Sequence, residues 1–247
     1  MLKIHVLTLF PEMFAPLQCS ISDRAQKNNV YALNLVQIRD FAINKHGQVD
    51  DSPYGGEAGM VMRPEPLASA IKSLARADGS LPKVYYMSAL GTRFDHKKAI
   101  EMSEEEEFVM ICGHYKGIDQ RIIDKYVDEE LSLGDFVLTG GELAAMTMVD
   151  ATFRLIPGAM GDRESAEEDS FYDGLLGHSV YTRPAEFEGM KVPDVLLSGH
   201  HAKAEEWRKE DSYRLTREKR PDLAHIIPPP PEPTQKRKRR KKSPNPQ

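Results

Sequence analysis

The run Asp128-Glu-Glu-Leu-Ser-Leu-Gly-Asp-Phe-Val-Leu-Thr-Gly-Gly-Glu-Leu143 holds the residues best suited to chemistry through the main chain. Thr139 and Glu142 have the spacing of a capping box, in which two side chains satisfy free N–H groups at a helix start. Gly140 and Gly141 fall where the N–H groups of the first turn are exposed. Glycines there let a ligand approach the backbone closely. One Gly-Gly pair would mean only a helix start, but the pattern recurs: Gly91, Gly113, Gly117 and Gly134 also follow apolar stretches. Converging, such loops form a crevice of backbone donors and acceptors. None is a G-x-G-x-x-G or a Walker A sequence, so neither a standard dinucleotide site nor a nucleoside triphosphatase is indicated. A second candidate is Asn44 to Gly59, which combines His46, Asp50, Asp51 and four glycines without regular periodicity. An aperiodic loop of that length is usually functional or disordered.

These loops need rigid supports. Leu2, Ile4 and Val6 alternate with Lys3 and His5, the period of a half-buried strand. Leu33–Ile38, Val84–Ser88 and Phe108–Cys112 read as further strands, and Phe136–Leu138 as a short apolar segment before a helix. Helices are expected over Pro64–Arg76, His96–Met102, Ile118–Tyr126 and from Thr139 to Arg154, where Pro157-Gly158 stops the last. The alternation indicates an α/β layout with a largely parallel sheet, whose ligands bind at the carboxyl ends of the strands.

From Ala159 to Asp173 the chain turns polar and reads as an interdomain linker. A second unit spans Tyr181 to Asp222, with a helix over His201–Lys219 carrying Trp207, Arg208, Arg214 and Arg217. The tryptophan suits a core anchor. The arginines fit a solvated face or a phosphate track. The expected division is residues 1–160, a flexible linker 161–177, a helical domain 178–227 and a disordered tail 228–247.

Composition narrows the class. A hydrophobic content of 40% suffices for a core. No run of about 18 apolar residues is present, so no membrane span is expected. Two cysteines, Cys19 and Cys112, make neither a disulfide framework nor a zinc cluster. A cytoplasmic location fits. Seven of the 33 Lys and Arg and one of the 38 Asp and Glu lie at or beyond Pro228, leaving a body of 26 basic and 37 acidic residues. That body, at −11, opposes non-specific nucleic-acid binding, whereas the cationic run 236–242 favours it.

Four stretches together resemble the bacterial tRNA (guanine-N1)-methyltransferases of the SPOUT class: His46 to Met60, Gly113 to Arg121, Leu133 to Leu143, and Glu168 to Phe171. The resemblance runs from about Met1 to Leu223. It implies a trefoil-knotted N-terminal domain, which no periodicity would suggest because knots are nearly absent from folds. It further implies a smaller, mostly helical C-terminal domain and a homodimer with shared active sites. The implied reaction is methyl transfer from S-adenosylmethionine to N1 of guanosine 37 of tRNA. The residues matching the cofactor site are Tyr86, Met87, Ser88 and Gly91; Gly113 and Tyr115; and Leu133, Gly134, Phe136, Val137, Leu138, Gly140 and Gly141. Asp169 matches the general base and Arg154 a residue that stabilises charge on the base, with a helix-dipole role as the alternative for Arg154. The tRNA contacts expected are His46, Asp50, Tyr54, Gly59, Lys116 and Arg121, with Arg208 and Arg214 in the second unit. Magnesium is implied as well, but no ligand spacing locates a site.

The chain departs from the family pattern in places. Lys116 stands where the resemblance leads one to expect Glu, Ala89 where it leads one to expect Pro, and Glu57 interrupts a glycine run. Two other readings stay open: a related RNA methyltransferase with another target base, and an RNA-binding protein that has lost catalysis, which Lys116 favours.

Overall fold

The computed structural model describes residues 1–160 and 169–229. The chain divides into two compact units, with the boundary between Glu168 and Asp169.

The first unit is built on a five-stranded sheet. Its strands are β1 (Leu2–Thr8), β2 (Tyr31–Gln37), β5 (Lys83–Arg93), β6 (Glu107–Cys112) and β7 (Glu129–Ser132), in the order β2-β1-β6-β5-β7. Every pairing in this sheet is parallel. A separate two-residue ladder joins β3 (Asp50–Asp51) and β4 (Val61–Met62). Central β6 is buried from Phe108 to Cys112, as a parallel strand covered on both faces must be. Phe108, Met110 and Cys112 belong to one core with Ile4, Val6, Met148 and Phe153. Val109 and Ile111 belong to the opposite core with Leu67, Ile71 and Ile122. The first core is covered by α1 (Ser20–Lys27) and α5 (Glu142–Phe153), the second by α2 (Pro64–Lys72) and α4 (Gln120–Tyr126). The side chains of Asp95 and Asp119 cap α3 (His96–Ser103) and α4 by accepting from Lys98 N–H and Arg121 N–H.

Three expectations are corrected. The last strand is the acidic run Glu129–Ser132, and Phe136–Leu138 lies in the loop beyond it, with Val137 86% exposed. An edge strand tolerates charge: Glu129 pairs with Lys98 at 3.2 Å. Strand β5 continues past Ser88, because Met87 and Thr92 both register with Leu131 and residues 88–91 bulge out of the ladder between them. Helix α5 starts at Glu142 with Gly141 as N-cap and no side-chain cap, so the expected capping box is not formed.

In the second unit the helix His201–Lys219 has the expected bounds. Residues 170–179 dock on it. Leu176 N–H donates to Thr216 Oγ1, Ser212 Oγ donates to Leu176 O, and Ser179 N–H donates to the Asp211 carboxylate at 2.7 Å. Trp207 is half-buried with its ring centroid 6.1 Å from that of Tyr181. No helix among the described residues is long and apolar enough to cross a membrane.

Candidate active site

Strand β5 with its bulge, and the loops that leave β6 and β7 at their carboxyl ends, line one cavity of about 320 Å³. This is near the lower end of small-molecule sites, roughly 300–1,000 Å³. The β5 bulge contributes Tyr86, Met87, Ser88, Ala89 and Leu90. The loop after β6 contributes Gly113 through Ile118, and the loop after β7 contributes Leu133, Phe136 to Thr139, Gly140 and Gly141.

Close backbone approach explains the glycines. A Cβ on Gly141 would lie 2.8 Å from Cys112 Cα and 3.1 Å from Met87 Cβ. Gly141 N–H donates to Gly113 O at 2.9 Å, so two of the three loops are fastened directly to each other. A Cβ on Gly140 would overlap both His114 Nε2 and Glu142 Oε2. Tyr115 carries a φ of +61°, a left-handed conformation uncommon outside glycine. Burial, and then the negative charge of Glu130, push the Tyr86 phenol up to about 12, so it stays neutral at physiological pH.

Beneath this wall lies a buried polar cluster. Thr8 and Glu142 are both inaccessible, and Thr8 Oγ1 donates to Glu142 Oε1 at 2.7 Å. Glu142 Oε2 lies 2.9 Å from His114 Nε2, and Phe10 N–H donates back to Thr8 Oγ1. The cluster joins the end of β1, the loop after β6 and the start of α5. The Cys112 thiol is raised well above its ordinary range by burial and by the Glu142 charge, so it is an inert packing group.

The family model of the tRNA (guanine-1)-methyltransferases, TrmD, matches residues 2–226. The chain is also similar to proteins named tRNA (guanine-N(1)-)-methyltransferase. That of Exiguobacterium sibiricum is 54% identical over 222 residues, 90% of each chain. That of Desulfitobacterium hafniense is 56% identical over 90% of this chain and 84% of its own. That of Staphylococcus aureus is 53% identical over 92% of each. The chain belongs to this family. It is therefore an enzyme, a methyltransferase.

Of the enzyme's expected cofactor residues, eleven line the cavity: Tyr86, Met87, Ser88, Gly113, Tyr115, Leu133, Phe136, Val137, Leu138, Gly140 and Gly141. Gly91 and Gly134 do not line it. Gly91 lies against the backbone of Glu130 and Leu131, where a Cβ would come within 2.4 Å; its place is in the ladder. Gly134 has a φ of +154° and holds the Phe136 ring against it. His114, Gln120, Ile123 and Glu130 line the cavity although the sequence did not single them out. His114 and Gln120 fall within the stretch Gly113 to Arg121, and Glu130 within the run Asp128 to Leu143.

Lys116 lines the cavity and donates to Glu57 Oε2 at 2.5 Å. Its backbone N–H donates to Met60 O, and its aliphatic stem covers Gly59, whose φ is +100°. Two of the departures noted in the sequence are thus one ion pair. Asp50 lies in the short ladder opposite Met62. His46 is exposed, Tyr54 is fully exposed, and Arg121 forms a two-pronged pair with Asp119 at 2.8 Å. In the second unit Arg208 is exposed, and Arg214 pairs with Asp211 and Glu218 along its own helix.

Arg154 is the half-buried C-cap of α5, and Asp169 is the first residue of the second unit. Residues 161–168, on which much of the linker expectation falls, lie outside the described residues, as do residues 230–247 of the tail. Among the described residues no three His, Cys, Asp or Glu side chains gather as a metal site.

Proposed function

We propose that the enzyme methylates N1 of guanosine 37 in tRNA with S-adenosylmethionine as methyl donor. Supporting this is the convergence of two glycine-bearing strand-end loops and the β5 bulge on one cavity in a chain of this family. The cavity suits the cofactor: the glycines Gly113, Gly140 and Gly141 in its lining let a nucleoside approach the main chain closely, and the apolar walls of Met87, Leu133 and Leu138 match an adenine ring.

Bound there, S-adenosylmethionine supplies an electrophilic methyl carbon and its own leaving group. The protein must deal with the guanine. N1 carries a proton at neutral pH and is a poor nucleophile until that proton is removed. Asp169 takes it as general base. Negative charge then grows toward O6, and Arg154 offsets it. The guanine has to leave its stack to be reached, which is cheap in a single-stranded loop. Lys116, which lines the cavity, is taken to contact the tRNA together with His46, Asp50, Tyr54, Gly59 and Arg121, and with Arg208 and Arg214 on the second unit.

The same reading takes the first unit as a knotted domain and the enzyme as a homodimer with shared sites. Phe136 at 55% exposure and Val137 at 86% are apolar groups that such an interface would cover.

The deciding experiment is methyl transfer from labelled S-adenosylmethionine to two tRNA transcripts that differ only in guanosine or adenosine at position 37. Label only in the guanosine transcript, recovered as 1-methylguanosine, is expected. Label in both would mean another target base.

A further inference from the structure

The buried cluster of Thr8, Glu142 and His114 is not used by the reaction above, yet one of its members lines the cavity. Its hydrogen bonds admit few arrangements. Thr8 is fully buried and its Oγ1 already accepts from Phe10 N–H, so its own proton goes to Glu142 Oε1. An ionised carboxylate only accepts. The other oxygen therefore takes its hydrogen from His114 Nε2, 2.9 Å away. The carboxylate also sits at the first residue of α5, the end of a helix that favours negative charge.

We propose that Glu142 is a positioning residue for the cofactor: as a buried anion it holds the neutral ring of His114, a residue that lines the cavity, in the Nε2–H form, leaving Nδ1 unprotonated as a hydrogen-bond acceptor. The hydroxyl and amino groups of S-adenosylmethionine are donors of the matching kind, so the ligand part of this inference rests on the function proposed above. The tautomer part does not. A ring nitrogen's protonation is set by the bond its other nitrogen makes, and here that bond is inaccessible to solvent at the carboxylate.

Glu142→Gln tests this with little change of shape. Thr8 still has to donate, which orients the amide carbonyl toward Thr8 and the amide NH2 toward His114. Nε2 must then accept, and the ring proton moves to Nδ1. At Nδ1 the cavity-lining residue His114 exchanges an acceptor for a donor. Nitrogen NMR of imidazole-labelled enzyme, at a pH above the histidine titration range, reads the tautomer directly; the His114 signals are assigned by their loss in His114→Asn. Expected are Nε2–H in the unaltered enzyme and Nδ1–H in Glu142→Gln. Affinity for S-adenosylmethionine, by calorimetry, should fall roughly ten-fold, the worth of one hydrogen bond. Adding Glu142→Gln to His114→Asn should cost nothing further, because Glu142 acts through His114.

Nδ1–H in the unaltered enzyme overturns the proposal, and that reading needs no variant of Glu142 to fold. Unchanged affinity in Glu142→Gln with a switched tautomer overturns the positioning role. If the unaltered enzyme fails to bind S-adenosylmethionine, the proposed function falls, and the tautomer measurement alone decides this inference.

Discussion

The ammonium group of Lys116 lies 2.5 Å from a carboxylate oxygen of Glu57, so the loop after β6 and the loop that carries Asp50 and Gly59 are joined by a charge pair beside the cavity. The hydrogen bond from Lys116, and then its charge, hold the Glu57 carboxyl below the ordinary carboxylate range. The folded-state value is depressed, so the pair contributes at pH values above the ordinary Glu range and is lost as pH falls through the folded value. Lys116→Met should raise the Glu57 titration midpoint toward that of a free glutamate, read from its carboxyl carbon shift. An unmoved midpoint would mean that the pair is not populated in solution. Stability should hardly change, because both side chains are exposed.

The same pair predicts coupling in activity. Lys116→Glu alone would set two carboxylates against each other across the two loops. Lys116→Glu with Glu57→Gly removes the repulsion. The single variant should lose several-fold in kcat/KM for tRNA, and the double variant should recover most of it. Equal losses in both would show that position 116 acts by itself. Contacting residues are where such non-additivity is expected.

Gly141 offers a test of the cavity wall. Its missing Cβ would meet Cys112 Cα and Met87 Cβ, which are backbone and branch-point atoms that cannot swing away. Gly141→Ala must therefore separate the loops after β6 and β7, at about 1–3 kcal/mol of overpacking. Affinity for S-adenosylmethionine should fall at least ten-fold while the far-ultraviolet circular dichroism is retained. Gly47→Ala, where nothing lies within 4 Å but φ is +68°, adds backbone strain outside the wall; it should lower stability and leave cofactor affinity unchanged.

How far the sequence carries depends on how local each cause is. Phe108–Cys112 was legible because burial on both faces leaves an unbroken apolar run. The helix His201–Lys219 was legible because of its length. Glu129 and Glu130 were not legible as a strand, since their support is an edge position and Lys98, 31 residues before Glu129. Glu142 misled for the same reason. Its spacing from Thr139 matched a local motif, but the partner it uses is Thr8, 134 residues away. The glycine loops could be seen as candidates one by one. That they share a cavity follows from the strand order β6-β5-β7, which no single stretch contains.

In the second unit Asp211 holds the Ser179 end of residues 170–179. Burial alone would raise its carboxyl, but the Ser179 N–H and hydroxyl together with Arg214 outweigh this and hold it below the ordinary Asp range. Because the folded value is depressed, this stabilisation is present above the ordinary range and disappears as pH falls through the folded value. Asp211→Ala leaves the Ser179 N–H without its acceptor, a loss of about 1–3 kcal/mol. The unfolding midpoint of the altered enzyme should drop at neutral pH, and the gap from the unaltered enzyme should close in acid. A gap that persists in acid would assign the effect to packing and not to charge.

The cationic tail opposes the sign of the rest of the chain. Removing residues 228–247 deletes seven cations and one acid, leaving a body whose net charge repels phosphate. If the tail binds tRNA, every phosphate it no longer neutralises lowers the slope of log affinity against log salt by about 0.7 for single strands or 0.9 for duplex. The truncated enzyme should bind tRNA more weakly at low salt and with a flatter salt dependence. The two curves should converge as salt rises, since screening removes the same term that truncation removes. Methyl transfer at saturating tRNA should be unchanged, because the cavity and its loops lie wholly within residues 86–144. The loss should therefore fall on KM. A lowered kcat with an unchanged salt slope would mean that the tail acts on the folded enzyme and not on the RNA.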